Sequence, residues 1–117
     1  QGKPSLSKGT RMIDWICVDD VVEGLIRMAY AKNIEGLSID LGTGILNSVQ
    51  DVCKKIESII GGDIHPEFGE LTHRPFEKTR VADVVTAREY LDWGPSLSMD
   101  QGLERTVEWY VNYDGRK

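Results

Sequence analysis

Apolar and polar positions alternate with helical periodicity most clearly between residues 48 and 62. Ser48 is suited to cap a helix there, with Asp51 three positions on, and Gly61-Gly62 is suited to end it. The apolar positions fall on one side of this helix: Val49, Val52, Cys53, Ile56, Ile59 and Ile60. The pattern therefore predicts an amphipathic helix with one face on a core.

The first forty residues predict a strand, a helix and a second strand. Ile13 to Val18 is β-branched, aromatic and mostly apolar, as strands are. Asp20, with Glu23 three residues on, predicts the cap of a helix over residues 21–31. A strand over Leu37 to Leu41 follows, closed by Gly42-Thr43-Gly44. This βαβ spacing predicts parallel strands. The broad apolar surface of the helix predicts the edge of a larger sheet, because parallel sheets are covered on both faces.

The remaining segments predict loops and short elements. Residues 1–10 and 69–79 are rich in loop-forming residues, and 65–68 predicts a short strand. Asp83 is suited to cap a short helix that runs to Leu91.

The last helix is predicted to start at Ser98, with Gln101 completing a capping box. Its spacing directs four residues toward a core: Leu103, Val107, Tyr110 and Val111.

Composition narrows the function classes. With 117 residues, 40% of them hydrophobic and 28% charged, the chain suits one domain with one modest core. A net charge of −5 argues against general nucleic-acid binding, and no apolar run is long enough to cross a membrane. The sequence does not begin with Met, and its first residues lack the pattern of a signal peptide. We therefore expect Gln1 to lie inside a longer chain.

Cysteine and histidine positions favour packing over metal binding. Cys17 lies in an apolar run and Cys53 on an apolar helix face, so we expect reduced packing residues in a cytoplasmic protein. His65 and His73 share no metal-type spacing with either cysteine, so we expect no metal site.

The most informative chemistry lies in the loop over residues 73–80. Arg74 precedes a proline, which restricts its backbone to extended geometry and lets the guanidinium chelate two phosphate oxygens. Glu77 is suited to accept hydrogen bonds from ribose hydroxyls. Lys8 and Arg11 add positive charge for the same ligand. Composition alone favours a solvated charged loop and two solubilising surface cations.

Two further motifs are weak. Tyr113 and Lys117 have Tyr-x-x-x-Lys spacing but straddle a glycine at the end of the chain. Gly42-Thr43-Gly44 lacks the rest of a dinucleotide fingerprint, because position 47 is Asn, so it predicts a turn and not a phosphate cradle. No catalytic, cofactor-binding or metal-binding residue is predicted.

Five blocks in register resemble the C-terminal half of the extended short-chain dehydrogenase/reductase family, in its sugar-nucleotide epimerase/dehydratase branch. The match runs from about Thr10 to Tyr110. The blocks are 14–22 (DWICVDDVV), 39–49 (IDLGTG and NSV), 74–77 (RPFE) with 81–83 (VAD), 91–95 (LDWGP) and 98–109.

The resemblance implies an α/β fold: a partial βαβ edge of a Rossmann-type sheet over about residues 11–44, and a small α/β substrate-binding part over about 45–112. It assigns Arg74 to the substrate diphosphate and Glu77 to the ribose. The family's second arginine falls at Ile13 here, and Arg11 lies two residues earlier, as a candidate substitute. The N-terminal NAD-binding domain and its Tyr-x-x-x-Lys group are absent.

The resemblance thus implies the substrate-binding part of a cytoplasmic NAD- or NADP-dependent nucleotide-sugar epimerase or dehydratase, homodimeric in the parent enzyme. Alone, the chain should bind no cofactor and turn over no substrate; its partners would be a nucleotide-diphosphate sugar and its own Rossmann domain. The alternatives are a free-standing, non-catalytic binding module and a relative that reduces steroids or flavonoids. Exposed apolar surface on the helix over 21–31 would favour the incomplete enzyme over the free-standing module.

Overall fold

The computed structural model describes residues 5–6, 8–62, 65–69 and 79–115. It contains four helices and four two-residue strands in these ranges. The helices are α1 (Val18–Tyr30), α2 (Val49–Ile60), α3 (Val84–Leu91) and α4 (Met99–Gly115). The strands are β1 (Ser5–Leu6), β2 (Met12–Ile13), β3 (Asn47–Ser48) and β4 (Glu67–Phe68). The α/β class is confirmed.

Four helix ends follow the local sequence as predicted. The Ser48 side chain accepts a hydrogen bond from the Asp51 amide at 3.0 Å, and Gly61 ends α2 with a φ of 75°. Asp83 caps α3 by accepting from the Val85 amide. Ser98 and Gln101 form the reciprocal capping box at the start of α4.

The strand predictions need correction. Of the first predicted strand only Ile13 pairs with a neighbour. Together with Met12 it forms β2, which pairs antiparallel with β3, and α1 already begins at Val18. Residues 37–41 form no strand, so the parallel pair predicted across α1 is not formed in the described residues. A strand exists only where a second strand supplies hydrogen-bond partners. Conversely, Ser5–Leu6, predicted as loop, pairs in parallel with β4.

The chain divides into two compact units. Unit 1 combines the described residues of 1–13, 47–79 and 103–117, and unit 2 combines 14–46 with 80–102. The core of unit 2 is Ala87, Leu91 and Trp93, with partly buried Ile16, Met28, Ala31, Ile39 and Leu41 packed against it. Val52 is the buried apolar residue of α2 in unit 1.

Among the described residues, helix α1 packs by one face against the rest of unit 2. Asp20 and Gly24 are buried on that face, and Arg27 donates to the carbonyls of Leu91 and Asp92 at the end of α3. The other face carries exposed apolar residues, which we call the α1 stripe: Val18, Val22, Leu25, Ile26 and Tyr30. Leu25 and Ile26 are 55% and 53% exposed. The exposed surface expected of an incomplete enzyme is therefore present.

Helix α4 departs from its prediction over its second half. Leu103 and Val107 are half-buried, but Tyr110 and Val111 are 62% and 63% exposed. The apolar positions of α4 continue beyond Val107, but the described residues provide no core that covers them there. Trp109 instead packs its ring on its neighbours, stacked on Tyr113 and edge-on to Tyr110.

Candidate functional site

The predicted phosphate-binding residues lie in different parts of the chain. Arg74 and Glu77 fall outside the described residues, as does His73. Arg11 is exposed immediately before β2, and its backbone carbonyl accepts from the Val49 amide at 3.0 Å. Lys8 is exposed as well. The assignments of Arg74, Glu77 and Arg11 to a substrate stay predictions.

The described segment that follows Arg74 and Glu77 in the sequence leads into α3. This segment is held by a carboxylate from the other end of unit 2. Asp14 Oδ2 accepts hydrogen bonds from the Gly44 amide at 2.9 Å and from the Ala82 amide at 3.1 Å. Its Oδ1 accepts from the Thr43 amide, also at 2.9 Å, and from the Thr43 hydroxyl.

Four donors on one carboxylate change its acidity. Burial of Asp14 tends to raise its pKa, but the hydrogen bonds from Thr43, Ala82 and Gly44 favour the ionised form and leave the pKa below its usual value. Asp14 is therefore a carboxylate at neutral pH whose lone pairs are committed to the fold. The arrangement suits a structural anchor rather than a general acid or base.

The same bonds decide the role of the Gly42-Thr43-Gly44 turn. The amides of Thr43 and Gly44 point to Asp14, so they are not available to cradle a phosphate. A side chain at Gly42 would lie 2.5 Å from the Ala82 Cβ and 2.8 Å from Asp14 Oδ2, which explains a glycine at this position. The turn interpretation is supported, and these residues do not fit a dinucleotide site.

A second carboxylate, Asp20, corrects the predicted cap of α1. The helix begins two residues earlier than Asp20, with Cys17 as its N-cap and no side-chain cap bond. Asp20 is 2% exposed and accepts from the Ser96 amide, the Ser96 hydroxyl and the Leu97 amide. Its carboxylate thus fixes the segment after Trp93 instead of the start of its own helix.

Neither carboxylate anchor, Asp14 or Asp20, was predicted as such from the sequence. Each is an acidic residue beside apolar positions, and this is the signal that the sequence offers, because a charge taken out of water needs several donors to offset its desolvation. The partners lie 29 to 77 residues away, so local spacing could not identify them.

The two cysteines are free in the structure. Cys53 lines an apolar pocket of about 240 Å³ on α2, beside Leu6 and Ile56. Burial, and then the negative charge of Glu57, raises its pKa, so the thiol is protonated at neutral pH. Such a thiol is a weak nucleophile, which agrees with a packing role.

Three further predictions concern metal binding, membrane spans and the Tyr-x-x-x-Lys pair. Among the described residues, no three His, Cys, Asp or Glu side chains are grouped as metal ligands would be. Within the same ranges, every helix is too short or too polar to cross a bilayer. Tyr113 lies on α4, but Lys117 falls outside the described residues.

The comparisons with known proteins identify one group of enzymes. No protein-family model matches the chain. It is 30% identical to UDP-glucose 4-epimerase of Mycolicibacterium smegmatis, over 89% of this chain and 33% of that protein. It is 27% identical to dTDP-glucose 4,6-dehydratase of Xanthomonas campestris, over 92% of this chain and 33% of the relative.

Comparison with solved structures leads to the same group of enzymes. The crystal structure of UDP-glucuronic acid 4-epimerase from Bacillus cereus, in complex with UDP-glucuronic acid and NAD, superposes with a TM-score of 0.79 and 27% identity. The match covers 95% of this chain and 36% of that one. The chain thus spans about a third of the length of the proteins it matches. It belongs to the NAD-dependent epimerase/dehydratase family and corresponds to the C-terminal portion of its members.

Proposed function

We propose that this chain is the substrate-binding part of an NAD- or NADP-dependent nucleotide-sugar epimerase or dehydratase, and that it is catalytically incomplete alone. The observation that carries the proposal is the identity of 30% with a UDP-glucose 4-epimerase along 89% of the chain. The relative is about three times as long, so cofactor binding and catalysis are assigned to the remaining part of the complete enzyme. We place the enzyme in the cytoplasm and expect a homodimer.

Within this proposal, Arg74 binds the diphosphate of the substrate and Glu77 binds the ribose. The guanidinium supplies two parallel hydrogen bonds to phosphate oxygens. The overall charge of −5 makes a specific cation necessary, since the field of the whole chain repels an anion. Arg11, exposed beside β2, is proposed as a second phosphate contact.

The test is the change Arg74→Ala in the complete enzyme. We expect nucleotide-sugar binding to weaken by about 2–4 kcal/mol, through loss of a charge-assisted bidentate contact. Isothermal titration calorimetry with UDP-glucose and dTDP-glucose measures the affinity. Arg88→Ala, which removes an exposed arginine from α3, is the matched control and should leave the affinity unchanged. Equal affinities of the Arg74 variant and the unaltered enzyme would refute the assignment.

The described structure favours an incomplete enzyme over a free-standing binding module. A module that functions alone would not be expected to expose a continuous apolar stripe along one helix. The α1 stripe runs the length of α1, from Val18 to Tyr30. We propose that the remainder of the enzyme covers it.

A further inference from the structure

Asp14 joins parts of unit 2 that are far apart in the sequence. Its carboxylate binds the Thr43-Gly44 turn, 29 and 30 residues away, and the Ala82 amide, 68 residues away. A hydrogen bond to a charged acceptor is stronger than one between neutral groups. Asp14 therefore fixes the backbone at residue 82 to the turn at 43–44.

The neighbouring contacts restrict the same backbone further. Asp40 Oδ2 accepts from the Asp83 amide at 3.0 Å, so consecutive amides are held by two carboxylates. Gly42 packs so close to Ala82 that a Cβ would overlap it. Two carboxylates and one close backbone approach thus define where the chain enters α3.

This anchored point lies directly downstream of the proposed binding residues. Ala82 is five residues after Glu77 and eight after Arg74 in the sequence. A small misplacement of a binding group weakens its contacts, so the position of the backbone at residue 82 matters for groups a few residues upstream. Asp14 can therefore influence ligand affinity without touching the ligand.

We infer that Asp14 is a positioning residue for nucleotide-sugar binding, acting through the Ala82 amide and the Thr43-Gly44 turn. This inference rests on the proposed function of the Arg74 segment. The effect of Asp14 on affinity is indirect. A purely structural carboxylate would instead change stability alone.

The test compares Asp14→Asn with Ser98→Ala in the complete enzyme. Asparagine keeps the shape of the side chain but removes its charge and turns an amide donor toward other donors. Ser98→Ala removes the cap of α4, so it lowers stability at a site away from Asp14. Calorimetry with UDP-glucose and dTDP-glucose, at a temperature well below the Tm of each variant, measures Kd. Thermal unfolding measures Tm.

We expect Asp14→Asn to raise Kd about tenfold or more, since small misplacements of binding groups have effects of this size. Ser98→Ala should lower Tm and leave Kd unchanged. Unchanged Kd in Asp14→Asn overturns the inference, and so does an equal rise in both variants. If the unaltered enzyme binds neither nucleotide sugar, the proposed function fails, and the inference fails with it. That outcome is recognised before any variant is measured.

Discussion

At the scale of single residues, two carboxylates organise unit 2. Asp14 ties the Thr43-Gly44 turn to Ala82, and Asp20 ties the start of α1 to Ser96 and Leu97. Removing a charge from water is costly unless donors surround it, and each of the two carboxylates accepts at least three hydrogen bonds. These contacts explain why residues 80–102 pack with 14–46 although 33 residues separate them in the chain.

The hydrogen bonds of Asp14 predict a pH dependence of stability. Its pKa is lowered in the folded state, so its stabilisation is fully present above the unfolded-state pKa of about 3.9 and is lost as pH falls through the folded value. Urea unfolding of this chain, followed by circular dichroism from neutral pH downward, should show a free energy of unfolding that decreases on acidification. Asp14→Asn should make that decrease shallower. An identical slope in both proteins would show that Asp14 has no such linkage.

The residue scale is also where prediction from sequence was weakest. Asp20 was predicted as a helix cap because capping is the commonest use of an Asp before an apolar helix. The structure uses it for partners more than 70 residues away, and nothing local distinguishes the two uses. The assignment of Arg74 and Glu77 to the substrate, which stays a prediction, came from the family resemblance and not from the spacing of charges.

At the scale of elements, helices were predictable and strands were not. The caps at Ser48, Asp83 and Ser98 are local hydrogen bonds over two or three residues, so the sequence contains all of their partners. A strand needs partners from elsewhere. Residues 14–17 and 37–41 have strand composition but find no pairing in the described part of the chain. We expect the rest of the enzyme to supply it.

The α1 stripe yields a prediction at the same scale. The isolated 117-residue chain should self-associate, because the stripe buries apolar area when two surfaces meet. The double change Leu25→Gln with Ile26→Gln should shift the chain toward monomer in sedimentation velocity, since glutamine removes the apolar area and keeps a good helix former.

The matched control changes two apolar residues outside the stripe that are exposed to a similar degree. Ile45 and Val85 are 64% and 65% exposed, so Ile45→Gln with Val85→Gln removes a comparable surface. It should leave self-association as it is. A monomeric unaltered chain, or equal effects of the two double variants, would contradict the role of the stripe.

At the scale of the whole molecule, the α/β class and the family were both predictable from sequence, because five motifs kept their order and spacing. The way in which the two units alternate along the chain was not predictable from sequence. Unit 1 takes residues from both termini and from the middle of the chain, and unit 2 takes the two stretches between them. Such packing depends on long-range contacts, which short motifs do not encode.

The central claim is that the Arg74 guanidinium recognises the diphosphate of a nucleotide-linked sugar. The most direct measurement is a double cycle by calorimetry on the complete enzyme, combining Arg74→Ala with removal of the phosphates from the ligand. The account predicts that the variant loses about 2–4 kcal/mol of affinity for UDP-glucose and none for uridine. An equal loss for both ligands, or no loss for either, would contradict it.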